Sequence, residues 1–340
     1  MEKNSRQRCT IAAASWVGIA LVAGLLLTSG PRAVAATAGG STTTLTISYS
    51  EKVGDDIALW IAVDAGYFEK RGLDVTAIFL PAQEGIPALL TGQVQLAAIG
   101  GSDAISAAAQ GVKLKFVANF SPVYTFQFWA RPQYGNAAAL KGQRVGVSST
   151  TGSLYTATLL ALKQLRLAPS DVSVTPLGTV PNVDSALLSG SIAAAASHPP
   201  ATYHYQQQRF VDLVDLAQKR IPNINTGLVA SVSYIEAHPG IVSAAVAAIV
   251  EALHREKSDK AYAESEMRKH MGIKDTAVLD FTYNFYANEV APTLPIPEAN
   301  ELEVAKQALS VNNAKVKTVH LASLIEPRFV TATVTQPNTK

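Results

Sequence analysis

The sequence predicts an α/β protein of two similar lobes, each a parallel-rich sheet with helices on both faces. Three observations lead there. The middle of the chain is written twice: Ala88-Leu-Leu-Thr-Gly92-Gln-Val-Gln-Leu-Ala-Ala98 returns as Ala186-Leu-Leu-Ser-Gly190-Ser-Ile-Ala-Ala-Ala-Ala196. The match extends backwards, from Leu45-Thr-Ile-Ser-Tyr-Ser50 and Asp74-Val-Thr-Ala-Ile-Phe79 to Arg144-Val-Gly-Val-Ser148 and Asp171-Val-Ser-Val-Thr-Pro-Leu177. Each copy reads strand, helix, strand, helix, strand. A period of about 100 residues is the size of one α/β domain and too long for a solenoid repeat. Two such lobes in tandem place a cleft between them, where small ligands bind.

The first element is a targeting segment over residues 1–36. Glu2, Lys3, Arg6 and Arg8 open it, no charge falls between Cys9 and Pro31, and Ala33-Val-Ala-Ala36 supplies a small-residue cleavage pattern. Cutting is expected after Ala35 or Ala36. An uncleaved anchor is the alternative, since about 20 apolar residues span a bilayer. Both readings place the body outside the cytoplasm, in the periplasm when the leader is cut.

Cys9 is the sole cysteine and precedes the apolar run. It cannot carry a lipid just after that run, and the mature chain has no disulfide, thiol nucleophile or thiolate metal site. Loss of residues 1–36 takes 28 Lys/Arg and 26 Asp/Glu to 24 and 25, so the net charge of +2 becomes −1. Those totals predict no basic surface for nucleic acid.

A polar lead-in precedes a strand marked by Leu45, Ile47 and Tyr49. Residues 57–71 read as one helix, with Ile57, Trp60, Ile61 and Phe68 near one face and Gly72 as its left-handed cap. Strand 75–80, helix 85–91 closed by Gly92, and buried strand 96–99 follow. Ser102 is expected to cap a third helix that Gly111 ends. Strands 114–120 and 125–130 finish the first half, and residues 131–135 read as a crossing.

The second half repeats the order. Strand 144–147 leads to a helix over 153–165, capped by Ser149, Thr150 or Thr151. Strand 172–175, helix 183–188 and strand 192–196 follow, then a helical piece from Pro199-Pro200 and a strand over 210–216. Residues 222–227 read as the return crossing. The rest is mostly helical, 242–263 being the longest stretch, and frays from about Gln336. Lobe I is therefore expected over 43–130 plus 228–335 and lobe II over 136–221, with the two crossings as hinges.

Leu59-Trp-Ile-Ala-Val-Asp-Ala-Gly-Tyr-Phe-Glu-Lys-Arg-Gly-Leu-Asp-Val75 resembles the signature helix of the periplasmic substrate-binding proteins of the nitrate, sulfonate and taurine transport family, a group that also contains thiamin-pyrimidine proteins. Leu90-Thr-Gly-Gln-Val94 and Leu140-Lys-Gly-Gln-Arg-Val-Gly-Val147 match family patterns as well. The resemblance covers residues 43–230 and, more loosely, the helical tail. It implies a type II periplasmic-binding-protein fold that captures a solute between its lobes and delivers it to an ABC permease. Relatives often carry an acid in a Gly-x-x-Asp strand start; Gln95 and Ala193 stand there in this chain.

Ligands of open α/β sheets bind beyond the carboxyl ends of the strands, which selects loops 50–56, 100–103, 148–153 and 197–200. In the third, Ser149, Thr150, Thr151, Gly152 and Ser153 open a helix, where free N–H groups favour an anion; helix capping accounts for the same residues. Gly101, Ser102 and Asp103 form the equivalent loop, and Asp103 there competes with an anion for the helix end. Ser50 and Glu51 lie on the first loop, where acids hold an amine or are simply solvated. Tyr124, with Phe126 and Phe128, walls the cleft or packs the core. Asn182 and His198 occupy loops of the second copy.

A micromolar ligand needs about 8 kcal/mol, and one helix terminus supplies at most about 2, so both lobes must close on the solute. Hydroxyl-rich helix starts point to a sulfonate, carboxylate or nitrate-like group, and an aromatic or heterocyclic solute stays open. The six histidines show no metal spacing, and no cofactor is expected. The function expected is a monomeric, non-catalytic receptor for a small organic or anionic solute. The alternatives are a ligand sensor for a membrane signalling protein and an enzyme like the pyrimidine synthases that the resemblance brings in, whose cysteine-rich segment this chain lacks.

Overall fold

The computed structural model describes residues 42–335; the leader read over residues 1–36 lies outside them. The alternation of Leu45, Ile47 and Tyr49 becomes strand β1 (Thr43–Tyr49), whose apolar positions are buried. Nine strands follow: β2 (Leu73–Phe79), β3 (Leu96–Ile99), β4 (Leu114–Asn119), β5 (Gln127–Ala130), β6 (Arg144–Val147), β7 (Ser173–Pro176), β8 (Ala194–Ser197), β9 (Val211–Asp215) and β10 (Gly227–Ser231). They form two five-stranded sheets, ordered β2-β1-β3-β10-β4 and β7-β6-β8-β5-β9. The sequence repeat thus becomes a structural one: β1, β2 and β3 correspond to β6, β7 and β8. Wholly buried runs such as Leu96–Ile99 and Ala194–Ser197 take central places, covered on both faces.

The sheets exchange strands. β5 runs antiparallel between β8 and β9, and β10 antiparallel between β3 and β4. Both carry a register irregularity at matching places, Phe128/Trp129 and Leu228/Val229. Two expectations change. The strand read as the end of lobe I belongs to the second sheet, and the chain therefore crosses between Asn119 and Gln127, not over 131–135. Residues 131–135 lie past β5, where the Arg131 guanidinium donates to the Leu187 and Leu188 carbonyls of the same half. The return path runs between Asp215 and Gly227.

The two crossings are paired as a ribbon. Tyr124 N–H donates to Ile221 O at 3.0 Å, Asn225 N–H to Ser121 O at 2.9 Å, and Phe120 N–H to Thr226 O at 2.9 Å.

The helices are α1 (Ile57–Asp64), α2 (Ala82–Thr91), α3 (Gly101–Ala108), α4 (Ala137–Leu140), α5 (Ser153–Gln164), α6 (Val180–Ser189), α7 (Ala201–Gln207), α8 (Val232–Ala237), α9 (Pro239–Ser258), α10 (Lys260–Met271), α11 (Thr276–Tyr283), α12 (Glu303–Ser310) and α13 (Arg328–Thr335). Among the described residues none is long and apolar enough to cross a membrane. The helix expected over 57–71 stops at Asp64. Gly66, at φ +70°, turns the chain left-handed, and Gly72, at φ +72°, ends a short 3-10 turn. The long helix expected over 242–263 breaks at Asp259, whose carboxylate caps α10 by accepting from Tyr262 N–H at 3.1 Å.

The tail does more than cover the first sheet. Ile249, Leu253, Met267 and Leu279 share a core with Ile47, Trp60 and Ile61, as expected for lobe I. α12 and the 3-10 turn before it instead sit against α3 and α5, burying Leu302, Ala305 and Leu309 with Ile105, Leu154 and Leu162. Asn312 Nδ2 donates to Tyr155 Oη at 2.9 Å. α12 thereby ties the two halves together.

Gln95 shows how the missing strand-start acid is replaced. Its Oε1 accepts from Thr46 N–H at 2.8 Å, and its Nε2 donates to Gly92 O at 2.9 Å.

Candidate functional site

The carboxyl ends of both sheets' strands face one cavity of about 570 Å³. The loop after β1 brings Ser50, Glu51, Lys52 and Val53, and the loop after β6 brings Ser148, Ser149, Gly152, Ser153 and Leu154. β3 leads to Gly100 and Asp103, and β8 to His198, Pro200 and Ala201.

Of the residues singled out from sequence, Ser50, Glu51, Asp103, Ser149, Gly152, Ser153 and His198 line the cavity; Gly101, Ser102, Tyr124, Thr150, Thr151 and Asn182 do not. Gly101 backs onto the chain: a Cβ there would lie 2.5 Å from Leu302 Cδ2 and 3.0 Å from Ile224 O. Ser102 does not cap α3, because Gly100 holds the N-cap position. Its hydroxyl is buried and meets Thr156 Oγ1 at 2.9 Å. Tyr124 is core, its hydroxyl donating to the same Thr156 Oγ1 at 3.1 Å; burial pushes that phenol up to about 12. The N-cap of α5 is Gly152, without a side-chain cap. Ser149 Oγ accepts from Gly152 N–H at 3.3 Å and leaves Thr150 and Thr151 exposed. Asn182 lies in the first turn of α6, where its amide donates to Leu177 O.

Sequence reasoning missed the loops after β2 and β7, which contribute Phe79, Pro81 and Gln83 on one side and Gly178, Thr179 and Pro181 on the other. The same strand-end rule finds them once applied to every parallel strand. It also missed Asp184 and His204, which face the cavity from within helices, and Asn225 and Thr226, which reach it from the return crossing.

Glu51 and His198 form the charged centre. Glu51 Oε2 lies 3.6 Å from His198 Nε2, an ion-pair distance too long for a hydrogen bond. His198 is 3% exposed, and its Nδ1 lies 3.1 Å from Pro199 O. Burial works against its charge, but Glu51, then Asp55 and Asp184, outweigh burial and push the imidazole up to about 9. It is therefore a cation at neutral pH.

The acids outnumber the cations. Asp184 accepts from Tyr205 Oη at 2.6 Å and Ser197 Oγ at 2.7 Å, and burial raises it despite those donors. Under the ribbon, Asp55 accepts from Asn225 Nδ2 at 2.9 Å and from Ser121 Oγ, and burial raises it too. Both carboxyl oxygens of Asp56 are buried and unpartnered, and burial with the neighbouring Asp55 holds it well above the usual carboxylate range. Asp103 is pushed up to about 7 by burial and then by Glu51.

Away from the cavity, the fold gathers Asp64, Glu266 and His270, with ligand atoms within 4.8 Å of one another. Spacing along the chain does not reveal this cluster. Asp64 Oδ2 already meets Lys269 Nζ at 2.7 Å and His270 Nε2 at 2.6 Å, so the protein supplies its own positive charge there.

Comparison with known proteins agrees with this architecture. A family model described as NMT1/THI5 like matches residues 55–257. No curated protein sequence matches. The structure is similar to the periplasmic aliphatic sulphonate binding protein SsuA of Escherichia coli, with a TM-score of 0.68 and 22% identity over 83% of this chain and 97% of that one. It is also similar to the alkanesulfonate-binding protein SsuA of Xanthomonas axonopodis pv. citri bound to MOPS, with a TM-score of 0.68 and 18% identity over 86% and 98%. The desulfurization enzyme DszB shares the fold, with a TM-score of 0.60 and 19% identity over 85% and 99%.

Proposed function

The chain belongs to the NMT1/THI5-like family, and from that premise we propose that it is an extracytoplasmic solute-binding receptor. It captures a small organic solute in the cavity between its sheets and hands it to an ABC permease, acting as a monomer after its leader is cut. The observation that carries this reading is the cavity itself. It is built from corresponding loops of two repeated halves, which two ribbon-paired crossings join. Such a joint lets the halves close on a solute, excluding water and adding contacts from both sides. We take the segments 120–126 and 216–226 as the hinge.

Binding rather than turnover is favoured by the polar groups present. The chain's one cysteine, Cys9, is far from the cavity residues in sequence. The serines lining the cavity make no hydrogen bond to His198 or His204, so no nucleophile and base are paired there.

Thermal-shift and scattering measurements on the purified protein test the reading. A library of small organic acids, amines and heterocycles is expected to contain solutes that raise the melting temperature. At a hundredfold excess over Kd the stabilisation is about 2.7 kcal/mol. The same solutes are expected to reduce the radius of gyration. A library without effect on either measurement overturns the receptor reading.

A further inference from the structure

We propose that the solute carries a protonated amine received by Asp103, rather than the anionic group that helix starts alone would select. The inference rests on the receptor reading and names the chemistry of its ligand.

The geometry around Asp103 carries it. Among the helix N-termini that line the cavity, those of α3 and α5 begin at glycines, Gly100 and Gly152. The Asp103 carboxylate lies over both: a Cβ on Gly100 would be 3.4 Å from Asp103 Oδ2, and one on Gly152 would be 3.5 Å from Oδ2 and 3.6 Å from Oδ1. Above about pH 7, where Asp103 is ionised, a resident negative charge therefore already occupies the place where two helix ends would draw an anion. A second anion arriving there meets Asp103 at close range and loses that attraction.

Asp103 also lacks a protein partner. No hydrogen bond or salt bridge among the described residues reaches it, and it faces the cavity. Beside it, Ser153 Oγ is buried without a partner. A Cβ on Gly100 would come within 2.4 Å of that hydroxyl, so a side chain at Gly100 would press on the same corner. A carboxylate in a partly dehydrated pocket without a donor is costly, and a ligand that brings an N–H donor removes the cost. The other charged pair does not change the sign: His198 is held by Glu51, and Lys52 lies over the Phe79 ring at 5.6 Å.

The rest of the wall specifies the ligand's body. Val53, Phe79, Phe126, Leu154, Val180 and Pro200 make it largely apolar. An amine attached to an aromatic or branched hydrocarbon fits such a wall.

The test uses a matched pair with one hydrocarbon body, 2-phenylethylamine and 2-phenylethanesulfonate, titrated calorimetrically into the protein at pH 8. The amine is expected to bind tighter than the sulfonate by about tenfold or more. Asp103→Asn is expected to lose that margin for the amine while sulfonate affinity rises, with an unchanged circular dichroism spectrum confirming the fold. Asp103→Ser serves as a second variant should Asp103→Asn misfold, and it is expected to lose the preference for the amine in the same way. A sulfonate that binds tighter than the amine, or an Asp103→Asn protein with undiminished amine affinity, overturns the inference and leaves the receptor reading intact. Failure of both probes and of the wider library overturns both.

Discussion

Glu51 and His198 meet across the cavity from opposite sheets, carboxylate Oε2 to imidazole Nε2 at 3.6 Å, with the imidazole almost wholly buried. Burial alone would lower the histidine's pKa; the carboxylate reverses that and holds it up to about 9. The His198 ring protons are therefore expected to titrate near pH 9 by NMR. In Glu51→Gln only Asp55 and Asp184 still oppose burial, and the midpoint is expected to fall toward neutral. An unmoved midpoint would show that Glu51 is not the source of the charge.

Stability is expected to fall as pH rises from about 5 to 9. Glu256 is 2% exposed, and burial, against the nearby Lys257, pushes its carboxyl up to about 8. Asp103 and Glu301 each lie near 7 for the same reason, and His198 near 9 through its acidic neighbours. A folded pKa above the unfolded one means that the group's stabilisation is complete below its unfolded value and is lost as pH rises through the folded one. All four groups have that sign. Asp64, lowered to about 2, weakens the fold only in stronger acid. Melting curves between pH 5 and 9 check this, and Glu256→Gln is expected to flatten the decline. A melting temperature that rises over this range contradicts it.

The local rhythm was legible because single residues enforce it. Gly72, Gly92 and Gly190 end their elements at φ +72°, +76° and +85°, and the strand cores are runs that only burial explains. The strand exchange was not legible. Gln127–Ala130 is buried at every position, so it reads as a core strand equally well in either sheet. Which sheet takes it depends on pairing with β8 and β9, far away in sequence. The site divides in the same way. Loop residues after parallel strands follow a rule, whereas Asp184 and Asn225 enter the cavity only through tertiary packing. Asp103 was read as a rival to an anion at its helix end, and its partnerless position over two helix starts is what geometry added.

Asn225 is expected to be a stability hub of the crossing ribbon. Its amide donates to Asp55 Oδ2 at 2.9 Å and to Thr125 Oγ1 at 2.7 Å, all three groups being buried. Asn225→Ala strips donors from a buried carboxyl group and hydroxyl, and buried unsatisfied groups cost about 1–3 kcal/mol each. Urea unfolding is expected to show a loss of about 2–3 kcal/mol. A loss of only a few tenths would mean that water replaces the amide at the hinge.

Ser102 and Asp103 are adjacent in sequence yet act on different properties. Thr156 Oγ–H donates to Ser153 O at 3.0 Å, which leaves its oxygen to accept from Ser102 Oγ at 2.9 Å and Tyr124 Oη at 3.1 Å. This buried knot fastens α3 to α5 beneath the cavity. Ser102→Ala or Tyr124→Phe removes one donor and leaves Thr156 Oγ1 an acceptor with a remaining partner, at an expected cost of about 1 kcal/mol. Thr156→Val strands two buried hydroxyls and is expected to cost more than either, about 2–4 kcal/mol. Because neither hydroxyl reaches the cavity, 2-phenylethylamine affinity is expected to stay unchanged in Ser102→Ala and Tyr124→Phe while it drops in Asp103→Asn. Unfolding and calorimetry on the same four proteins separate the two roles. Equal losses of amine affinity in Ser102→Ala and Asp103→Asn would mean that the helix junction as a whole, and not the carboxylate, determines binding.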